Sequence, residues 1–233
     1  MTEELDAIAF DAGGTLIDLK PSKEDVFFEV LKSNGFKGTR EAVVNAITQA
    51  ERVYDEQSVS LDGKNEIAFW HRYDEFVFKK VRFHGDVSKV SKDLGNTFEE
   101  IVQKIDSWYA YPDVMPLLKD LERRDFKVGV ISNATDLLNK VLHRLNLAKH
   151  FDFVVISALV GSRKPSPEIF RIAGKKAKTP LPRMLYVGDR YTIDVLGARR
   201  AGMHAILLDR YNVYPDVDCL KAKDLNYLRR FLI

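Results

Sequence analysis

The sequence predicts an α/β protein: a parallel sheet covered by helices, with a separate helical segment inserted after the first strand. Three observations carry that prediction. Beyond residue 110, short continuous apolar runs alternate with amphipathic helical stretches, the pattern of strands buried on both faces of a sheet. Between residues 18 and 109 the apolar residues recur at helical spacing and no convincing strand appears. The isolated apolar run Ile8 to Phe10 precedes that helical stretch, so its partners must lie in the later α/β part. The expected division is residues 1–17 and 110–233 for the sheet domain and 18–109 for the helical insertion.

Taken in order, Ile8 to Phe10 forms a strand that delivers Asp11 into a turn through Gly13 and Gly14, residues that permit close backbone approach. Ser22 with Asp25 caps a helix through Val26, Phe27, Val30 and Leu31, and Gly35 stops it. Thr39 caps a second helix carrying Val43, Val44, Ile47 and Ala50. Ile67, Trp70, Tyr73, Val77 and Val81 form an amphipathic stripe on a third, with helix–helix contact as the expected role of its aromatic rings. A shorter pair, Val87 to Leu94 and Thr97 to Trp108, closes the insertion. Val114, Leu117, Leu118 and Leu121 then mark a helix, and Phe126 to Ile131 a strand. Leu137 to Leu145 gives the next helix, Phe153 to Ile156 a strand, and Ser166 caps a helix with Pro167 in its first turn. Met184 to Val187 is a strand, Ile193 to Ala201 a helix and Ala205 to Leu208 a strand. The segment from Tyr211 to Lys223 reads as loop, and Asp224 caps a last short helix.

Bulk properties narrow the possible partners. The 233 residues include 36 Lys plus Arg and 34 Asp plus Glu, a formal charge of +2, and the basic residues are dispersed as pairs such as Arg123-Arg124 and Arg199-Arg200. No basic block demands nucleic acid or an anionic membrane. The single cysteine, Cys219, excludes an internal disulfide and a multi-cysteine zinc site. No apolar run approaches the ~18 residues a membrane span needs, and the acidic start is unlike a secretory signal. The expectation is a cytoplasmic protein, monomeric or homodimeric.

In open α/β sheets, ligands bind beyond the carboxyl ends of the strands. The first strand ends at Asp11, with Thr15 after the turn; the second ends in Ser132-Asn133; the third ends in Gly188-Asp189, with Asp194 following. Lys164 lies ahead of Pro165 in the loop between the latter two. Carboxylates gathered at adjacent strand ends repel unless a divalent cation compensates them. Such a cation attracts phosphate, whose other oxygens need a hydroxyl and an ammonium.

Those four regions, Asp11 to Leu16, Ile131 to Asn133, Lys164 with Pro165, and Val187 to Asp194, make the chain resemble the haloacid dehalogenase superfamily over nearly its whole length. The resemblance implies a Rossmann-like core with a helical cap, and Mg²⁺-dependent hydrolysis of small phosphorylated metabolites. Asp11 would be the nucleophile that becomes an aspartyl-phosphate, and Asp11, the Gly13 carbonyl and Asp189 would hold the metal. Ser132 and Lys164 would contact the phosphoryl group together with Gly14, Thr15 and Asn133, and Asp194 would orient Lys164.

One position departs from that pattern. Phosphatases of the superfamily carry a second aspartate two residues after the nucleophile, where this chain has Gly13. Acid–base help of that kind is typically worth ~10²–10⁴-fold. The expectation is therefore an intact metal and phosphate site with weakened acid–base catalysis, with Glu66, His71, Asp74 and Glu75 of the insertion as candidate substitutes. The alternatives are phosphonate or halide cleavage, or a low-turnover binding protein; retention of Gly188-Asp189 argues against the halide reading.

Overall fold

The computed structural model describes residues 5–60 and 65–232. Strand β1 (Ala7–Phe10) opens the chain, and β2 (Ile17–Leu19) leads away from it. Four helices follow: α1 (Lys23–Ser33), α2 (Arg40–Tyr54), α3 (Glu66–Lys80) and α4 (Val87–Gln103). The chain returns through β3 (Trp108–Ala110), which pairs with β2, and continues in α5 (Val114–Glu122) and β4 (Lys127–Ser132). Then come α6 (Leu137–Arg144), β5 (Phe153–Ile156), the single turn α7 (Ser157–Val160) and α8 (Pro167–Ala177). Last are β6 (Met184–Gly188), α9 (Leu196–Ala201), β7 (His204–Leu208), β8 (Lys221–Ala222) and α10 (Leu225–Leu232).

The sheet runs β5-β4-β1-β6-β7-β8, and its strand pairs are parallel. β1 lies in its interior, and all four of its residues are fully buried. That is why AIAF contains no polar side chain: a strand covered by helices on both faces has no solvent side to mark. Ile169, Phe170 and Ala173 of α8 pack beneath the sheet, with the Phe170 ring edge-on to Tyr186 at 5.2 Å.

By contacts the chain divides into residues 1–18 with 109–233, and residues 19–108. The second unit has its own core, in which Val26, Phe27 and Leu31 of α1 meet Val43 and Ile47 of α2, Tyr73 and Val77 of α3, and Val90 and Leu94 of α4. Its caps follow the sequence: Ser22 accepts from the Asp25 amide and Thr39 from the Ala42 amide.

Two expectations about this unit are corrected. On α3, Ile67 is 86% and Trp70 44% exposed, while Phe69, Tyr73, Val77 and Phe78 are buried. The helix carries two apolar stripes, and the one that meshes with the Tyr54 ring, edge-on to Phe69 and Tyr73, takes the core. The expected pair of helices over 87–108 is one helix, α4, running through Gly95 to Gln103 and followed by β3. A mid-helix glycine costs about 1 kcal/mol, less than burying Leu94 and Ile101 on one continuous face returns. Among the described residues no helix is long and apolar enough to cross a membrane.

Candidate active site

Sheet register assembles the site. Phe10 pairs with Val130 on one side and Val187 on the other, so Asp11, Ser132 and Asp189 all leave the sheet at the same carboxyl edge. The Asp11 amide continues that ladder by donating to the Val187 carbonyl at 2.9 Å.

Lys164 reaches this edge from the loop before α8. Asn133 holds its backbone from both sides: Nδ2 donates to the Lys164 carbonyl at 2.9 Å, and the Lys164 amide donates to Oδ1 at 2.8 Å. An ammonium has three donors, and here all three are used. Lys164 Nζ donates to Asp11 Oδ1 at 2.7 Å, Asp194 Oδ1 at 2.7 Å and the Tyr186 hydroxyl at 2.8 Å. Burial alone would lower the lysine pKa, but the charges of Asp11 and Asp194 outweigh it and raise the value. The site thus favours the ammonium form of Lys164.

Asp194 sits in a wide turn over Tyr191–Val195 that leads into α9, where the sequence predicts an ordinary helix from Ile193. Its Oδ1 accepts from Lys164 and its Oδ2 from the Arg190 amide at 2.9 Å, so both oxygens are committed. Asp189 differs. Its Oδ1 is buried with no hydrogen-bond partner, and the Thr15 hydroxyl is in the same condition. Ligand oxygens of Asp11, Asp189 and Asp194 lie within 4.8 Å of one another. Burial raises the Asp11 carboxyl pKa, with Lys164 opposing; burial and then the charges of Asp11 and Asp194 push Asp189 well above the carboxylate range. A site with more negative charge than Lys164 compensates, and with an orphaned carboxylate oxygen, fits a hard divalent cation. With Asp194 committed elsewhere, Asp11 and Asp189 are the side chains suited to hold it.

The glycines of the turn are constrained differently. Gly14 has φ +73°, and a Cβ there would stand 2.3 Å from Asp189 Oδ2. Gly13 is exposed, and a Cβ there would meet nothing within 4 Å. Neither backbone nor crowding thus forces the absence of a carboxylate at position 13.

Direct hydrogen bonds bring together Asp11, Lys164 and Asp194, with Asn133 engaged through the Lys164 backbone; Asp189 and Gly14 lie against each other, and Ser132 is buried where β4 ends. Sequence reasoning missed Tyr186. It is fully buried in the middle of β6, accepts from Lys164 and donates to the Ile131 carbonyl at 2.9 Å. A phenol inside an otherwise aliphatic buried strand needs a partner, and that was the available signal. Of the candidate acids in the insertion, Asp74 is buried within the helical unit, hydrogen-bonded by Ser91, and so is not a surface group. His71 lies 3.4 Å from Glu75 on the same helix.

Comparison with known proteins agrees with this geometry. The profile of the haloacid dehalogenase-like hydrolase family matches residues 5–202. The mouse haloacid dehalogenase-like hydrolase domain-containing protein 3 is 27% identical over 203 residues, 86% of this chain and 80% of its own length. The glyceraldehyde 3-phosphate phosphatase of Methanopyrus kandleri is 37% identical over 109 residues, 46% of each chain. Among solved structures, a 2-haloacid dehalogenase from Pseudomonas syringae superposes with a TM-score of 0.59 at 25% identity, covering 98% of both chains.

Proposed function

The chain belongs to the haloacid dehalogenase-like hydrolase family, and from that premise we propose that it is a Mg²⁺-dependent phosphatase of small phosphorylated metabolites, with Asp11 as nucleophile. The observation that carries this reading is the orphaned, buried Asp189 Oδ1 beside Asp11. Carbon–halogen cleavage has no use for a second carboxylate with an uncommitted oxygen, whereas a divalent cation does. The phosphatase relative supports the same choice.

In this reading Asp11 attacks the phosphorus, a P–O bond of the ester breaks, and the leaving oxygen departs with the bonding pair and takes up a proton. Water then attacks the aspartyl-phosphate, releasing inorganic phosphate and restoring the Asp11 carboxylate. Lys164 holds the Asp11 carboxylate through Oδ1 and balances charge as phosphoryl oxygens arrive. Asp194 and Tyr186 fix the lysine, and Ser132 and the Thr15 hydroxyl supply hydrogen bonds at the sheet edge. Mg²⁺ held by Asp11, Asp189 and the Gly13 carbonyl would supply compensating positive charge to the phosphoryl group. With glycine at position 13, protonation of the leaving group is unassisted from that residue, which favours acyl and aryl phosphates over alkyl esters. A cytoplasmic location and a monomeric or homodimeric state complete the proposal.

The test is a Mg²⁺-dependent screen of acyl, aryl and alkyl phosphates, with 2-chloropropionate and a phosphonate as competing substrates. We expect phosphate release that is lost with EDTA and in Asp11→Asn. Halide release independent of Mg²⁺ would overturn the reading.

A further inference from the structure

We infer that Arg210, together with Asp113, is a positioning residue for the nucleophile turn. Arg210 lies just past the end of β7, outside the four motif regions. Its guanidinium, 10% exposed, forms a bidentate pair with the 6% exposed Asp113 carboxylate: Nη1 donates to Oδ2 at 2.8 Å and Nη2 to Oδ1 at 3.0 Å. Nη2 also donates to the Thr15 carbonyl at 2.9 Å, and the Tyr111 ring lies 3.9 Å beneath the guanidinium.

Thr15 belongs to a turn that is rigid within itself, since the Leu16 and Ile17 amides both donate to the Ala12 carbonyl, at 2.8 and 2.9 Å, and Gly14 N donates to Ile17 O at 2.9 Å. A body braced in this way moves as one, and Asp11 sits at its start. At its start the turn is held by the bonds of Asp11 to the Val187 carbonyl and to Lys164; beyond Asp11, the Tyr111 amide donates to the Leu16 carbonyl at 3.0 Å and Arg210 to the Thr15 carbonyl. Arg210 therefore ties the turn to β7, while Asp113 ties Arg210 to the start of α5 and, through the Leu225 amide at 2.8 Å, to α10. A planar fork can satisfy a carboxylate and a carbonyl together in fixed geometry, which a lysine cannot. Misplacing a reacting group by about 1 Å can cost ~10²-fold in rate.

The inference rests on the proposed role of Asp11, so its test has one arm that needs no turnover. The variants are Arg210→Met, Arg210→Lys and, as control, Asp120→Asn. Asp120 holds α10 through Arg229, also pairs with the exposed Arg123, and makes no hydrogen bond to the turn, so its variant reports loosening remote from the turn. With p-nitrophenyl phosphate and Mg²⁺, Arg210→Met should lower kcat about tenfold or more with KM within about twofold, Arg210→Lys should fall between it and wild type, and Asp120→Asn should keep the wild-type kcat when compared at equal distance below each Tm. Hydrogen exchange of the peptide spanning residues 11–17 should quicken in Arg210→Met and not in Asp120→Asn. If Arg210→Met and Asp120→Asn match in both kcat and exchange, the positioning role is overturned. If wild type shows no turnover, the phosphatase reading fails, and the exchange comparison alone decides the clamp.

Discussion

Gly13 and Gly14 are adjacent, chemically identical, and under opposite constraints. At Gly14 any side chain meets both a left-handed backbone and the Asp189 carboxylate. Gly14→Ala should cost about 1–3 kcal/mol of stability and displace Asp189, and equilibrium unfolding with a Mg²⁺ titration will show both losses together. At Gly13 the space is open, so Gly13→Asp should fold normally and speed alkyl phosphate hydrolysis by up to ~10²-fold, toward the lower end of what a positioned acid contributes. An unchanged alkyl-to-aryl rate ratio in that variant would mean that another group already protonates the leaving oxygen. Most of the candidate site was legible because strand ends mark themselves: apolar runs stop at Asp11, Ser132 and Asp189. Tyr186 and Arg210 were not legible. The first hides inside a strand, and the second follows a strand end, Asp209, whose carboxylate serves the Val213 and Tyr214 amides instead of the site.

At the scale of elements, α3 and α4 hold the informative departures. Apolar spacing alone cannot choose between the two stripes of α3, because the choice is made by the Tyr54 ring on another helix. The same packing leaves Asp74 inside the unit, where burial pushes its carboxyl up to about 7, only partly offset by the Ser91 hydroxyl. The unfolded chain releases that proton near 3.8, so between there and about 7 the folded state binds more protons and stability falls as pH rises. The penalty is complete above about 7 and amounts to at most ~4 kcal/mol. Asp74→Asn should therefore flatten this part of the pH profile and raise Tm at pH 8 more than at pH 5, as thermal melts at the two values will report. On α4, Gly95 is solvent-exposed with free space at its Cβ position, and Gly95→Ala should add about 0.5–1 kcal/mol, about 1–4 °C in Tm.

At the scale of the molecule, two separate cores lie on one chain, and they use the chain differently. The helical unit is a single continuous segment, whereas the sheet is assembled from segments on both sides of it. A chain of residues 19–108 should accordingly fold alone, with helical circular dichroism and a cooperative melt; a gradual, non-cooperative melt would contradict an independent core. The division itself was legible in the sequence, because periodicity changes from helical to mixed near residue 110. The strand order was not. Nothing in AIAF says that it lies between β4 and β6, since a run buried on both faces carries no mark of which neighbours it has.

That interior place has a consequence during synthesis. β1 is made well before its partners, which begin at Lys127 and Met184. At ~5–20 residues per second, Ala7 waits on the order of 10 s or more after leaving the ribosome before the second of them exists. Through that interval the nascent chain carries an apolar segment with no sheet to join, and Asp11 gains its neighbours on β6 only after about 170 further residues have been added.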